Sequence, residues 1–212
     1  LANAIEPLRA ANQVAGRPLY DWYLASPDLA SVKSSSGLEV KTHLRIGNLD
    51  EVARIDRLAV IAGFNYRRHS TRRLMAQIRM QRRRVKTLIG MDTGAFALAR
   101  AGLLTDKTVT IHWQEKELFE EEFLDLEVTA DRYVIDGDII TAGGATTTLD
   151  LMLALIREDA GEAIALGVAN TFIYDAERAP AMPQRGQIDS RLGSRAPIVA
   201  AAIALMENNL ED

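Results

Sequence analysis

The sequence has no cysteine, which excludes disulfide bonds, thiolate catalysis and zinc sites built on thiolates. It has no apolar run that approaches the roughly 20 residues of a membrane-spanning helix, and no leader is visible. It is also short of positive charge, since 25 Lys and Arg stand against 29 Asp and Glu. Nucleic-acid-binding domains usually carry a basic excess. We therefore expect a cytoplasmic protein without a membrane partner, in which this chain alone does not bind DNA.

Helical and strand-like patterns alternate along the 212 residues, which favours one large α/β domain. Apolar residues recur at helical spacing over residues 1–15, and residues 19–26 alternate as a strand does. Two compact apolar runs, residues 56–62 and 85–89, are typical of central strands in a mostly parallel sheet. The patterns predict a three-layer α/β sandwich. Because a helix comes first, we also expect a strand ahead of Leu1.

The composition changes near Tyr174, where a charged stretch begins that holds three of the six prolines. An amphipathic helical pattern follows it to the end of the sequence. We therefore divide the chain into a globular domain over residues 1–175 and a second part over residues 176–212. This second part is predicted to be a linker and the start of a further helix.

Two segments carry charges of essentially one sign. Residues 67–86 contain nine Lys or Arg and no acid, whereas residues 115–127 contain seven acids and one lysine. Solvated helix faces are the ordinary explanation for such runs. Two alternatives stay open: electrostatic pairing of the runs, within a subunit or across a dimer, and contact of the basic run with DNA phosphates.

The most informative segment is LIGMDTGAFALARAGLL, in which a buried strand reaches Gly90, passes Asp92 and enters a helix at Gly94. This strand–turn–helix is the geometry of a nucleophile elbow, which presents one side chain at the carboxyl ends of the strands. That side chain is Asp92. The next strand, TVTIHW, ends on His112 and Trp113. The order of these motifs predicts a ligand crevice at this edge of the sheet.

The motifs MDTGAFALARAGLL, TVTIHW and VIDGDIITAGGATTTLDLMLALI resemble the N-terminal domain of AraC-type transcription regulators with a class I glutamine amidotransferase-like (PfpI-like) fold. EPLRAAN near the start and APIVAAAIALMENNLED at the end fit the same family. The resemblance implies a flavodoxin-like sheet and a homodimer. It also implies that DNA is bound through a C-terminal helix-turn-helix domain absent from this sequence.

The elbow residue distinguishes this chain from the family's enzymes. Those enzymes carry a cysteine at the position of Asp92 and a histidine at the position of His112. Covalent catalysis needs an activated nucleophile beside a base, and a carboxylate attacks an amide far less readily than a thiolate does. We therefore expect no enzyme and no cofactor. With Asp at the elbow, the chain is similar to regulators of quaternary-amine and arginine catabolism, which implies a small cationic or zwitterionic amine effector such as betaine, carnitine or arginine.

The chemistry of the residues agrees with a cationic ligand, because a fixed carboxylate attracts it and aromatic faces stabilise quaternary ammonium groups. The amides at the start of the helix after Gly94 could accept a ligand carboxylate. Structural roles compete with these functions, since an Asp before a helix is often only an N-cap and aromatic residues are often core. No pair of histidines has metal-ligand spacing, so we expect no metal. The candidate ligand-binding residues are Asp92, Thr93, His112, Trp113, Phe64, Tyr66 and Glu6.

Two other functions remain open from the sequence. The chain could be a PfpI-like hydrolase or hydratase that uses Asp92 as nucleophile or acid–base, with His112 as its partner. It could also be a fold retained only for dimerisation, in which case side chains would fill the crevice.

Overall fold

A computed structural model describes residues 1–63, 66–175 and 178–184. The helices in this part of the chain are α1 (Ala2–Ala15), α2 (Tyr66–His69), α3 (Arg72–Gln81), α4 (Gly94–Arg100), α5 (Lys116–Glu122), α6 (Ala145–Ala160) and α7 (Glu162–Thr171). The strands are β1 (Ala25–Ser26), β2 (Val32–Lys33), β3 (Glu39–Val40), β4 (Leu44–Arg45), β5 (Ile55–Ala62), β6 (Val85–Asp92), β7 (Thr108–Thr110), β8 (Glu127–Thr129), β9 (Tyr133–Asp136) and β10 (Ile139–Ala142). None of these helices is long and apolar enough to cross a membrane.

A four-stranded sheet in the order β5–β6–β10–β9 forms the middle of the domain. β6 is parallel to both of its neighbours, and β9 and β10 form an antiparallel pair. β7 pairs with β8 in parallel, and the amide of Thr110 in β7 donates to the hydroxyl of Thr141 in β10 at 2.8 Å. The mostly parallel, flavodoxin-like α/β arrangement is therefore confirmed.

Helices cover both faces of this sheet because consecutive residues of a strand point to opposite sides. Leu88 of β6 packs with residues of α3, α4 and α5, including Phe96 and Phe119. Its neighbour Ile89 packs on the other side with residues of α1 and α6, including Leu151. Complete burial of one such side chain stabilises the fold by about 1.5–3 kcal/mol. Two apolar layers thus hold the three-layer sandwich together.

Residues 56–62 were predicted to form a central strand, and the described part of the chain does not place them there. Among the described strands, β5 lies at an edge of the sheet, with Ala59 exposed and Ile61 39% exposed. β6, in contrast, is central as predicted. An apolar run shows that a strand avoids water on its faces, but it does not say how many neighbours the strand has.

Residues 19–26 were expected to form a strand, and only β1 at their end does so. The side chain of Asn12 forms hydrogen bonds with backbone groups of this segment instead. Its Oδ1 accepts from the amides of Leu19 at 2.7 Å and Tyr20 at 2.8 Å, and its Nδ2 donates to the carbonyl of Tyr20 at 2.8 Å. Backbone groups satisfied in this way are not available for a neighbouring strand.

The two charged runs lie on exposed helix faces, as the ordinary explanation requires. No ion pair among the described residues joins the basic run to the acidic one, although Arg82 pairs with Asp138 and Arg100 binds Glu122. Arg100 donates from Nε and Nη2 to the two carboxylate oxygens, at 2.7 and 2.8 Å. Within one subunit the runs are linked by charge alone, since the pKa of Arg67 is raised by its hydrogen bond to Tyr66 and also by the nearby charge of Glu122.

Residues 178–184, which we call the strap, are mostly exposed but lie back against the domain. Pro183 forms an antiparallel bridge with Asp131, and the amide of Arg132 donates to the carbonyl of Pro180 at 2.9 Å. The terminal helix expected after the strap falls outside the described residues. The domain boundary at residue 175 stays a prediction.

Candidate functional site

The turn after β6 holds Asp92 in a left-handed conformation with φ of 59°. Asp adopts this region more readily than most residues, although the left-handed conformation is uncommon for any residue other than glycine. α4 begins directly afterwards and crosses β5 very closely. A Cβ on Gly94 would overlap the carbonyl oxygen of Val60, and one on Gly90 would lie 3.0 Å from the amide of Ala95. The absence of a side chain at both glycines therefore permits close helix–strand packing.

Glycine backbone surrounds the Asp92 carboxyl group. A Cβ on Gly144, whose φ is 89°, would lie 2.8 Å from Asp92 Cβ and Cγ, and one on Gly63 would lie 4.0 Å from Oδ2. Burial raises the pKa of Asp92, while the nearby His112 and the amide of Thr93 act in the opposite direction. A half-buried carboxylate whose ionisation the fold opposes is typical of a functional site.

His112 and Trp113 follow β7, which ends earlier than the sequence suggested, at Thr110. His112 Nδ1 accepts from the amide of Gln114 at 3.3 Å. This bond assigns the proton of a neutral imidazole to Nε2, which remains a donor. The Trp113 ring is stacked beside His112, with centroids 5.9 Å apart, and is 43% exposed. His112 and Trp113 thus lie side by side, and His112 is near enough to Asp92 to act on its pKa. That the three residues form one ligand site stays a prediction.

Two other candidates have structural partners. The hydroxyl of the buried Thr93 donates to the carbonyl of Gly63 at 2.9 Å, which ties the ends of β5 and β6 together. Glu6 pairs with Arg9 at 2.7 Å on an exposed part of α1. Both contacts give these residues a role in the fold, and ligand contact by either stays a prediction.

Tyr66 was a candidate ligand-binding residue, and the structure places it in the core instead. Its ring is buried and stacked on Phe96 at 4.0 Å with an interplanar angle of 18°, in the core between the sheet and α3–α5. A short helix, α2, turns the side chain toward this core. Phe64, another candidate ligand-binding residue, lies outside the described residues.

Two residues of the site were missed by the sequence analysis. Gly144 presses its backbone on Asp92, and the Gly143–Gly144 pair directly after an apolar strand was a usable signal for such a close approach. Gln184 of the strap reaches the same region, where its Oε1 accepts from the amide of Trp113 at 3.1 Å. Its place in a polar stretch gave no indication of this contact.

A cavity of about 150 Å³ lies beside Trp113 and Gln184. It is lined by Ile111, Trp113, Lys116, Ala130, Pro183 and Gln184, so Asp92 and His112 are not among its lining residues. Sites for drug-sized ligands usually measure roughly 300–1,000 Å³, so a cavity of this size suits only a small molecule. In the part of the chain that the structure describes, no group of three His, Asp or Glu side chains could hold a metal ion.

The comparisons with known proteins agree with the fold. The model of the DJ-1/PfpI family matches residues 3–158. The HTH-type transcriptional regulator GbdR of Pseudomonas aeruginosa is 34% identical over 212 residues, which cover 100% of this chain and 57% of GbdR. The HTH-type transcriptional regulator CdhR of the same species is 36% identical over 209 residues, covering 99% of this chain and 61% of CdhR.

A solved structure extends this similarity. The crystal structure of an AraC family transcriptional regulator from Pseudomonas putida superposes with a TM-score of 0.66 and 26% identity, covering 81% of this chain and 90% of that one. The resemblance to AraC-type regulators is therefore confirmed. The chain spans only about 57–61% of the length of the two curated regulators. From its match over most of the domain, the chain belongs to the DJ-1/PfpI family.

Proposed function

We propose that this chain is the ligand-sensing and dimerisation domain of an AraC-family transcription regulator, and that it binds a small cationic or zwitterionic amine at Asp92. One observation carries the ligand class: the carboxyl group of Asp92 is half-buried against glycine backbone at the carboxyl end of β6. The similarity to HTH-type regulators along the whole chain supports the regulatory role.

A bound cation would offset the free energy by which burial disfavours the ionised Asp92 carboxylate. The fold opposes the ionisation of Asp92 through burial, and an ammonium group nearby would favour it. The exposed part of the Trp113 ring offers a cation–π contact, which stabilises quaternary ammonium groups by about 0.5–2 kcal/mol. His112 Nε2 is a donor for the carboxylate of a zwitterion. α4 adds little field at its start, because it has only seven residues.

The ligand would act by shifting a population. A molecule that binds one arrangement of the domain or dimer more tightly increases that arrangement, and so changes DNA binding by a domain outside this chain. We propose that the working unit is a homodimer, since such regulators meet paired half-sites. Light scattering that finds only monomer at high concentration would contradict the dimer.

An enzyme of the hydrolase or hydratase type is the second candidate. The observation in its favour is that a carboxyl group with a raised pKa lies near a histidine, a pairing used in acid–base catalysis. Against it, the residue on the elbow is a carboxylate rather than a thiolate, and Nδ1 of His112 is occupied by a backbone amide. Turnover of esters, amides or isonitriles that Asp92→Asn abolishes would favour the enzyme.

A thermal-shift screen tests the proposed ligand class. Glycine betaine, carnitine, choline and arginine are compared with 3,3-dimethylbutanol, which has the shape of choline without its charge. A ligand at a hundred times its Kd stabilises a protein by about 2.7 kcal/mol, which raises Tm by roughly 5–11 °C for a domain of this size. We expect such a shift for at least one amine and none for the neutral alcohol. Equal shifts for choline and the alcohol would contradict recognition by charge.

A further inference from the structure

The side chain of Gln184 joins the strap to the end of β7 through a dense set of hydrogen bonds. Its Nε2 lies 3.0 Å from Thr110 Oγ1, 2.8 Å from the carbonyl of Ile111 and 2.9 Å from the carbonyl of Asp131. Its Oε1 accepts from the amide of Trp113 at 3.1 Å. One NH₂ group has two hydrogens, and three acceptors lie around it. With the contact to Trp113, four polar partners therefore form a niche around this amide.

Gly143 and Gly144 separate this niche from the ligand site. A Cβ on Gly143 would overlap the Gln184 amide, and a Cβ on Gly144 would lie 2.8 Å from Asp92. Gln184 therefore packs against Gly143, and Asp92 packs against the adjacent Gly144. A group that displaces the Asp92 carboxylate must also press on the backbone that holds Gln184, because packed interiors transmit small shifts.

The chain just before and within the strap is held by a buried ion pair. Asp150 accepts from Arg132 Nε at 2.7 Å, from the hydroxyl of Tyr174 at 2.6 Å and from the amide of Arg178 at 3.2 Å. This anchor fixes the near end of the strap. The far end is held by the Gln184 side chain together with backbone contacts: Pro183 bridges Asp131, and the amide of Gln184 donates to the carbonyl of Ala130 at 3.2 Å. Release of the Gln184 side chain would therefore loosen the far end without unfolding the domain.

We infer that the strap reports occupancy of the Asp92 site to the chain that continues beyond residue 184, with Gln184 as the connection. The inference rests on the proposed function and concerns the regulation of the same site. In the docked state, Gln184 holds the backbone of Trp113 and touches Gly143, so the crevice has its binding shape. In the released state, that support is lost. A ligand that favours the docked state slows release, and by reciprocity release weakens the ligand by the same factor.

Hydrogen exchange measured by mass spectrometry tests the connection first without ligand. Asp92→Gly removes the side chain next to Gly144, and glycine accepts the left-handed turn. We expect the amides of the strap and of Trp113 to exchange about 5- to 150-fold faster in this variant, the usual range of coupling between sites. Gln184→Ala should do the same, whereas Gln13→Ala, a matched deletion on the exposed side of α1, should change nothing there.

A second variant guards against misfolding of the first. Gly143→Ala places a methyl group against the Gln184 amide without touching Asp92, and it should release the strap to a similar extent. Far-UV circular dichroism checks that each variant retains its helices. Strap exchange that is unchanged in both Asp92→Gly and Gly143→Ala would overturn the inference, whether or not any ligand binds.

The ligand arm separates this inference from the proposed function. With the amine that gives the largest thermal shift, strap exchange should slow in the unaltered chain, and Gln184→Ala should bind that amine about 5- to 150-fold more weakly. Binding that leaves strap exchange and the affinity of Gln184→Ala unchanged refutes the connection and leaves the sensor proposal intact. If no amine binds but Asp92→Gly still releases the strap, the ligand class is wrong and the connection stands.

Discussion

Replacing Arg132 with methionine should destabilise the fold by about 3–5 kcal/mol, because it leaves a buried carboxylate without its cation. Arg132 is 1% exposed and Asp150 is not exposed at all. Arg132 Nε and Nη2 lie 2.7 and 2.6 Å from Asp150 Oδ2. After the substitution, the partners that the described residues leave to Asp150 would be the hydroxyl of Tyr174 and the amide of Arg178. Urea denaturation measures the change, and Tm should fall by roughly 6–20 °C.

Two controls show whether the unpaired charge is the cause. The double variant Arg132→Met/Asp150→Asn removes both charges and keeps an acceptor for Tyr174, so it should recover most of the loss. Arg9→Met breaks the exposed pair with Glu6 and should cost no more than about 1 kcal/mol. The reasoning is refuted if the double variant is as unstable as Arg132→Met, because the loss would then come from packing rather than from charge.

Three further outcomes follow from the geometry. Gly94→Ala should lower Tm far more than Gly102→Ala. The methyl group at position 94 would overlap the backbone of β5, whereas at position 102 it would meet open space and the alanine would only have to adopt a φ of 69°. Burial and its hydrogen bond to a carboxylate raise the pKa of Tyr174 from 10.0 to about 12. The stability that the protonated hydroxyl contributes is therefore complete below pH 10 and lost as pH rises toward 12. Tyr174→Phe should reduce this loss of stability in denaturation measured between about pH 9 and 12. Burial also raises the pKa of Asp92, so the stability that its protonated form contributes is lost as pH rises through that pKa. Ligand-free Asp92→Asn should therefore be more stable than the unaltered chain at pH 7 and equally stable in acid. Equal stability at pH 7 would contradict the assigned burial.

The elbow could be predicted from sequence because everything that shapes it lies within a few residues. Gly90, Asp92 and Gly94 stand at fixed offsets between an apolar strand and a helix, and the structure places each where that pattern requires. Helix ends were equally local. α1 ends at Gly16, whose left-handed φ of 63° is the usual way for a helix to stop.

The errors concern contacts between residues distant in sequence. Tyr66 was named as a candidate ligand-binding residue, but packing on Phe96 decides where its ring lies. Gln184 reaches Thr110 across 74 positions, and no local pattern marks such a partner. The edge position of β5 likewise depends on which strands pair beside it. Propensity and periodicity describe a segment, whereas these features depend on what the rest of the chain places next to it.

Calorimetric titration of Asp92→Asn with the best amine from the thermal-shift screen tests the central claim most directly. Asn tolerates the left-handed turn and keeps the size of the side chain, so only the charge changes. We expect the variant to fold and to lose about 2–5 kcal/mol of binding free energy, because the ligand's charge would be left uncompensated; this corresponds to roughly 30- to several-thousand-fold in Kd. Unchanged affinity would contradict the account and reduce Asp92 to a turn residue.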